Sequence, residues 1–308
     1  MSLRGARGVL AMFIAVAAFS FMDALLKMFA AHYPAAQVTF LRAAASLPFV
    51  LFPLWWQGRL AEIRPVRPGL HLLRALFGIV MITTFIAALR DAPLASVYSV
   101  YMGAPLLIAV LAALLLGERV SVGCWIAILV GLAGVLVILQ PRPGGMPAAA
   151  GIAALLSALC YAAAVLVARV LTRTDTTASV VFMFLALMAV FSAVLSIGHW
   201  TPILAAHWPW IVATGAFGAV GQHYITVAFK HAPAAVVAPV EYTALVWGLA
   251  IDRVFWSVTP DAVMLLGAAL VILAGLYVAW QERHPPEADL EAAARRHIAG
   301  TDAGDRRP

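Results

Sequence analysis

Apolar residues run in ten long stretches along this chain, at 9–30, 36–56, 71–89, 94–116, 121–139, 149–169, 178–198, 208–229, 234–254 and 261–280. Each is close to the ~20 residues of helix that cross the hydrocarbon core of a bilayer. The breaks between them are short and rich in turn formers: HYP at 32–34, RDAP at 90–93, PRPGGMP at 141–147 and KHAP at 230–233. Proline just outside a span ends a helix or occupies its first turn. The first stretch is too long for a cleaved signal peptide, contains Asp23 and Lys27, and is followed by no small-residue cleavage site. The pattern predicts an all-α integral membrane protein with ten transmembrane helices.

Composition agrees. The 308 residues are 64% hydrophobic and 11% charged, with a mean hydropathy of +0.97. Soluble globular chains are roughly 45–50% apolar and about 25% charged. A water-soluble enzyme, a disordered chain, a coiled coil and a small disulfide scaffold are excluded. Eleven of the 34 Asp, Glu, Lys and Arg residues crowd into 282–308, which is expected to be a disordered polar tail. With the N-terminus in the cytoplasm, eleven Arg and Lys residues fall in inner loops and ends, against Arg90, Arg142 and Arg253 outside. That bias places both termini and the tail in the cytoplasm. The net charge of +6 reports this orientation; no dense basic cluster with interleaved aromatics points to nucleic acid. Short loops and abundant alanine suggest a bacterial inner membrane. Cys124 and Cys160 sit in apolar runs and read as packing residues.

The chain also repeats itself. Shifted by 140 residues, ALRDAPLASVYSVYMGAP (88–105) lies over AFKHAPAAVVAPVEYTAL (228–245) with seven of eighteen positions identical, Pro93 over Pro233 among them. With one more residue of offset, 127–137 lies over 268–278 with seven of eleven identical, including Gly134 over Gly275. The predicted units are a first five-helix repeat at 1–140 and a second at 148–281, followed by the tail. Five spans per unit is an odd number, so the two units lie in opposite orientations. Inverted repeats of this kind build secondary transporters with a site near the midplane.

The stretch 73–118 reads LRALFGIVMITTFIAALRDAPLASVYSVYMGAPLLIAVLAALLLGE. It resembles the first EamA-type repeat of the drug/metabolite transporter superfamily. The shared features are Arg74 and Gly78 near the start of the third span, Pro-Leu-Ala opening the fourth, Pro105 in its middle and Gly117-Glu118 closing it. The second copy departs by carrying Ser257-Val258 at the closing position, with Asp261 nearby. The resemblance implies ten helices, transport of small metabolites and no bound cofactor. It implies no single substrate.

An ionisable group inside a span is costly unless paired or facing water, so such groups mark candidate sites. Asp23, Arg42, Tyr98 and Tyr101 fall at similar outer depths and form one predicted cluster, with Lys27 one turn from Asp23. Two readings stand for it: an Asp23–Arg42 or Asp23–Lys27 ion pair that pins helices, or one wall of a substrate path. Glu241, His223 and Tyr161 form an inner counterpart, and Glu241 overlies Tyr101 under the repeat shift. A carboxyl beside a histidine suits proton coupling; a structural hydrogen-bonded pair is the alternative. Trp247 is a packing residue or a wall for an aromatic substrate. Arg74 reads as an interfacial anchor, Asp252–Arg253 as an outer gate or anchor, and Gly215, Gly218 and Gly221 as a close-packing stripe.

The sequence thus predicts a permease working by alternating access, with Asp23, Arg42, Tyr101, His223 and Glu241 facing one cavity. Its expected partners are a small-molecule substrate, the lipid bilayer and protons as a candidate coupling ion, in a monomer or homodimer. An integral-membrane enzyme and a non-transporting scaffold are the rivals. No HExxH, GxSxG or P-loop supports the first, and a cavity filled by side chains would mark the second.

Overall fold

In lipid every backbone N–H and C=O must find its partner within the protein, and a helix does this within one segment. The apolar stretches accordingly form helices. A computed structural model describes residues 3–116, 121–140, 145–231 and 239–283. The first half holds α1 (Leu3–Ala30), α2 (Ala35–Trp56), α3 (Pro68–Asp91), α4 (Leu94–Tyr101), α5 (Ala104–Leu116) and α6 (Val122–Leu139). The second holds α7 (Ala148–Leu171), α8 (Thr177–Leu195), α9 (Trp208–His231), α10 (Thr243–Trp256) and α11 (Ala262–Arg283). Among the described residues there is no strand, and eight helical segments are long and apolar enough to cross a membrane. The fold is all-α, with ten spans in two inverted halves. The tail from residue 284 and Glu118 lie outside the described residues.

Successive helices alternate in direction, and contacts between distant loops fix the two ends of the bundle. On the near side, where α1 begins, Val66 and His71 meet Asp175. On the far side, Tyr33 meets His207 and Gln37 meets Thr201. Helices of the two halves are interleaved: α1 lies along α9, α3 along α7 and α2 along α8. Gly215 lets α9 approach the Ala45 carbonyl of α2. At one edge α6 packs on α11, where a Cβ on Gly134 would lie 2.8 Å from the Gly267 carbonyl oxygen. Only small residues permit that approach. Trp55, Trp56, Trp200, Trp208, Trp210 and Trp280 are exposed near helix ends, as interfacial anchors require.

The repeat is legible in detail. Ser121 caps α6 by accepting the Cys124 N–H at 3.2 Å, and Asp261, 140 residues on, caps α11 by accepting the Met264 N–H at 2.6 Å. The acid near the second closing position is therefore a helix cap. Spans four and nine both break in mid-membrane. The first breaks at Met102–Gly103, just before Pro105, which has no N–H to offer the Tyr101 carbonyl. The second has helical residues 239–241, a turn at Tyr242 and then α10. Tyr101 and Glu241 are thus the last residues before repeat-related breaks. Interrupted helices of this kind hold the substrate sites of inverted-repeat carriers.

Candidate functional site

A cavity of about 580 Å³ lies between the halves. Its walls come from α1, α2, α3 and α4 of the first half and from α7, α8, α9, Glu241 and Ala244 of the second. Along α1 it runs from Met12 to Asp23, about 16 Å at the helical rise. On the near side it reaches Arg169 and Thr172, both exposed. On the far side it ends at the level of Asp23 and Tyr98. Most of the wall is Met, Phe, Ala, Val and Ile, with few polar groups among them, which is the usual make-up of a small-molecule site.

Six of the eight sequence-predicted site residues line this cavity: Asp23, Arg42, Tyr98, Tyr101, Tyr161 and Glu241. The Tyr98 hydroxyl donates to Asp23 Oδ2 at 2.8 Å. Asp23 forms no ion pair with Arg42 or Lys27 among the described residues, although the Asp23 and Arg42 charges lie close enough to act on one another. The ring of Tyr101 lies 5.5 Å from that of Phe85 and 5.2 Å from that of Tyr161, so the outer and inner clusters form one continuous wall. Arg42 Nε and Nη1 are buried without a hydrogen-bond partner among the described residues.

Two predicted residues fall elsewhere. Consecutive helical residues are about 100° apart around the axis. Gln222 and Ile225 of α9 share the cavity face, so His223 is turned off it; it is exposed, with its ring edge-on to Tyr224 at 5.3 Å. His223 therefore does not pair with Glu241 in this conformation. Trp247 packs against Phe13 at 5.6 Å and Phe21 at 5.8 Å, outside the cavity lining. Its neighbours are aromatic side chains of α1, which fits the packing reading.

Three features go beyond the sequence reading. Arg74 is no interfacial anchor. It lies six residues inside α3, lines the cavity, donates through Nη1 to the Val180 carbonyl at 2.6 Å and stacks over Phe184 at 4.3 Å. Its depth could have been counted from Pro68. Second, Asp252 is buried on the far side, outside the cavity lining. It accepts from Lys27 at 2.7 Å and from the Leu94 and Ala95 N–H groups at 3.0 and 2.8 Å. It thereby caps α4 of the opposite half with a negative charge where the helix dipole favours one. Lys27 also lies over the Trp256 ring at 4.4 Å. Lys27 thus pairs with Asp252 and not, as the Asp23–Lys27 reading had it, with Asp23. Third, a near-side strap joins the halves: Asp175 accepts from the Val66 N–H and His71 Nε2, both at 2.8 Å, and from the Thr174 hydroxyl at 2.9 Å. Burial pushes the Asp175 carboxyl up, but these bonds outweigh it and bring the carboxyl down to about 2.

Comparison with known proteins identifies the architecture. The chain matches the EamA-like transporter family over residues 6–140 and 149–280. It belongs to that family. It is 31% identical over 268 residues to the pseudopaline exporter of Pseudomonas aeruginosa, covering 87% of this chain and 94% of that one. It is 29% identical to a riboflavin transporter of Rhizobium johnstonii, over 89% of this chain and 91% of the relative. A solved crystal structure superposes with a TM-score of 0.64 at 23% identity, covering 91% of this chain and 99% of that one, and supports the fold. The EamA chain described here is a multi-pass membrane protein that transports small molecules.

Proposed function

We propose that this EamA protein moves a small organic metabolite by alternating access, and that the conformation described is open on the near side. One observation carries the reading. The cavity is walled by both halves, reaches exposed Arg169 and Thr172 on the near side, and stops below the Lys27–Asp252 contact on the far side. The positive-inside bias supports a cytoplasmic near side with both termini inside, and the bacterial relatives support a bacterial inner membrane. The walls close within one chain, so a monomer suffices as the working unit. The Glu241 side chain has no hydrogen bond or ion pair among the described residues and lines the cavity, which supports it as the group that exchanges a proton during transport. An exchanged solute is the alternative drive. We read the site as a carrier and not a catalyst, because its polar groups line a cavity walled by both halves and open on one side.

The test is sided thiol labelling in membrane vesicles, with Cys124 and Cys160 replaced by serine. Ala168→Cys, on the cavity wall near its mouth, is expected to react with a membrane-impermeant reagent added from the cytoplasmic side. Ser20→Cys, at the deep end, is expected to be shielded from the opposite side. Labelling of Ala168→Cys from the periplasmic side alone would reverse the orientation. Labelling of both positions equally from both sides would mean a channel and end the alternating-access reading.

A further inference from the structure

A transport cavity can be read for its cargo from the groups it leaves unsatisfied. Arg42 Nε and Nη1 and Arg74 Nε are buried and without a hydrogen-bond partner among the described residues. Leaving a buried donor unmade costs free energy, and more when the donor is charged. Asp23 is the nearest acid to Arg42, yet it takes its hydrogen bond from Tyr98. Arg74 is held by the Val180 carbonyl and the face of Phe184, which fix the guanidinium without neutralising it. Arg42 therefore feels the Asp23 charge without hydrogen-bonding to it, Arg74 has no acidic hydrogen-bond partner among the described residues, and both guanidinium groups keep buried donors unmade.

The charges are ordered along the wall. Tyr101 lies within reach of the charges of Asp23, Arg42 and Glu241, and Tyr161 within reach of those of Glu241 and Arg74. With the two tyrosine rings 5.2 Å apart, Arg42, Glu241 and Arg74 follow one another from the deep end towards the mouth. Among them stand Met12, Met81, Phe85 and Phe184, which line the same cavity and offer no side-chain hydrogen-bond donors.

We infer that Arg42 and Arg74 are carboxylate-binding residues, with Glu241 between them receiving an ammonium group, and that the cargo is an elongated amino-carboxylate with an apolar flank. Guanidinium is the side chain best matched to a carboxylate, through its planar array of donors. A neutral ring compound without acceptors would leave these buried donors unmade, and a simple cation would meet both guanidinium groups as like charges. The inference rests on the transport reading and names the chemistry of the same site.

The experiment uses the full chain, purified in detergent, with thermal unfolding as readout and the dipeptide glutamyl-phenylalanine as probe. That probe carries two carboxylates, an amine and an aromatic flank. Its dicarboxamide and its N-acetyl form are the matched controls. The free dipeptide is expected to stabilise the protein, the dicarboxamide to have no effect, and the N-acetyl form to bind more weakly. Arg42→Gln is expected to weaken dipeptide binding about tenfold to hundredfold. Glu241→Gln is expected to remove the difference between the dipeptide and its N-acetyl form. Arg42→Lys keeps the charge and guards against a folding defect; it is expected to retain part of the binding.

Equal stabilisation by the dicarboxamide, an unchanged response in Arg42→Gln, or no response to any of the three probes would overturn the inference. Its failure is separable from that of the transport reading. Carriage of a carboxylate-free solute by proteoliposomes would sink the amino-carboxylate assignment and leave transport standing. Binding with the expected selectivity, but no flux of the bound probe, would do the reverse.

Discussion

The two ends of the cavity are closed and opened by different chemistry. At the far end a buried pair, Lys27 and Asp252, with side chains 10% and 3% exposed, ties α1 to α10 and caps α4. At the near end the strap of Asp175, His71 and Val66 lies beside the mouth, joining α3 to the loop before α8 without crossing the opening. Under the 140-residue shift, Asp252 overlies Ala112 and Lys27 overlies Val167. The near side therefore has no counterpart of the ionic seal at the repeat-related positions. The inverted repeat supplies two equivalent doors in outline, and the side chains make them unequal. An ionic latch on one side, absent from the equivalent positions on the other, would bias the protein towards the near-open state in the absence of cargo.

The strongest way to break this comparison is to remove the far-side latch. Asp252→Ala strips Lys27 of its partner and α4 of its cap. Leaving a buried charge unpaired costs about 3–5 kcal/mol. The expected result is a large fall in thermal stability together with far-side labelling of Ser20→Cys. The double variant Lys27→Met with Asp252→Asn is expected to be milder than Asp252→Ala alone, since no charge is left unpaired and asparagine still caps a helix. Equal loss in the two would mean that the helix cap, and not the ion pair, holds the door.

The near-side strap has a different signature, in pH. The Asp175 carboxyl is held at about 2, below the ~3.9 of an unfolded aspartate, so the folded state binds fewer protons. Its stabilisation is present in full above about pH 4 and drains away as pH falls towards 2. Asp175→Asn is expected to cost about 2 kcal/mol at neutral pH and to flatten the acid limb of the stability curve. Sided labelling of the cavity should not change, because the strap lies outside the door. A shift in labelling would make it part of the gate.

A smaller effect is expected at Gln37, on the far side but away from the latch. Its amide donates to the Thr201 carbonyl at 2.7 Å and accepts the Thr201 N–H at 2.9 Å, tying α2 to the loop before α9. Gln37→Ala leaves both backbone groups without that partner, at about 1–3 kcal/mol. Thermal stability should fall while far-side labelling of Ser20→Cys stays low. Labelling that rose as much as in Asp252→Ala would spread the seal over the whole far face.

Most of the architecture was legible because the bilayer simplifies the code: length and hydropathy set the spans, and the repeat shift set the inversion. The depth count also brought Asp23, Arg42, Tyr98, Tyr101, Tyr161 and Glu241 to one cavity. What it could not supply was azimuth. Apolar residues surround most of each helix, so no polar stripe fixes which side faces inward, and His223 and Trp247 were assigned by depth alone. Partner choice was equally hidden. Lys27 sits one turn from Asp23, yet it pairs with Asp252, 225 residues away, because α1 and α10 meet there. Arg74 was hidden for a third reason, since the same residue near a span start serves as anchor or as ligand depending on where the helix begins.

The smallest expected effect isolates azimuth from depth. Gln222 and His223 are neighbours on α9 at the same depth, but only Gln222 lines the cavity. His223→Ala removes a side chain whose described contact is an edge-on ring against Tyr224. Away from buried networks such a change costs within about 0.5 kcal/mol, so stability and transport are expected to stay near wild type. Gln222→Ala alters the wall itself and is expected to change the apparent affinity for cargo while leaving stability similar. The pair is measured side by side in proteoliposomes across pH. If His223→Ala abolished a proton-driven component that Gln222→Ala spared, then α9 would rotate during the cycle to bring His223 inward. The near-open state would then display only half of the coupling machinery.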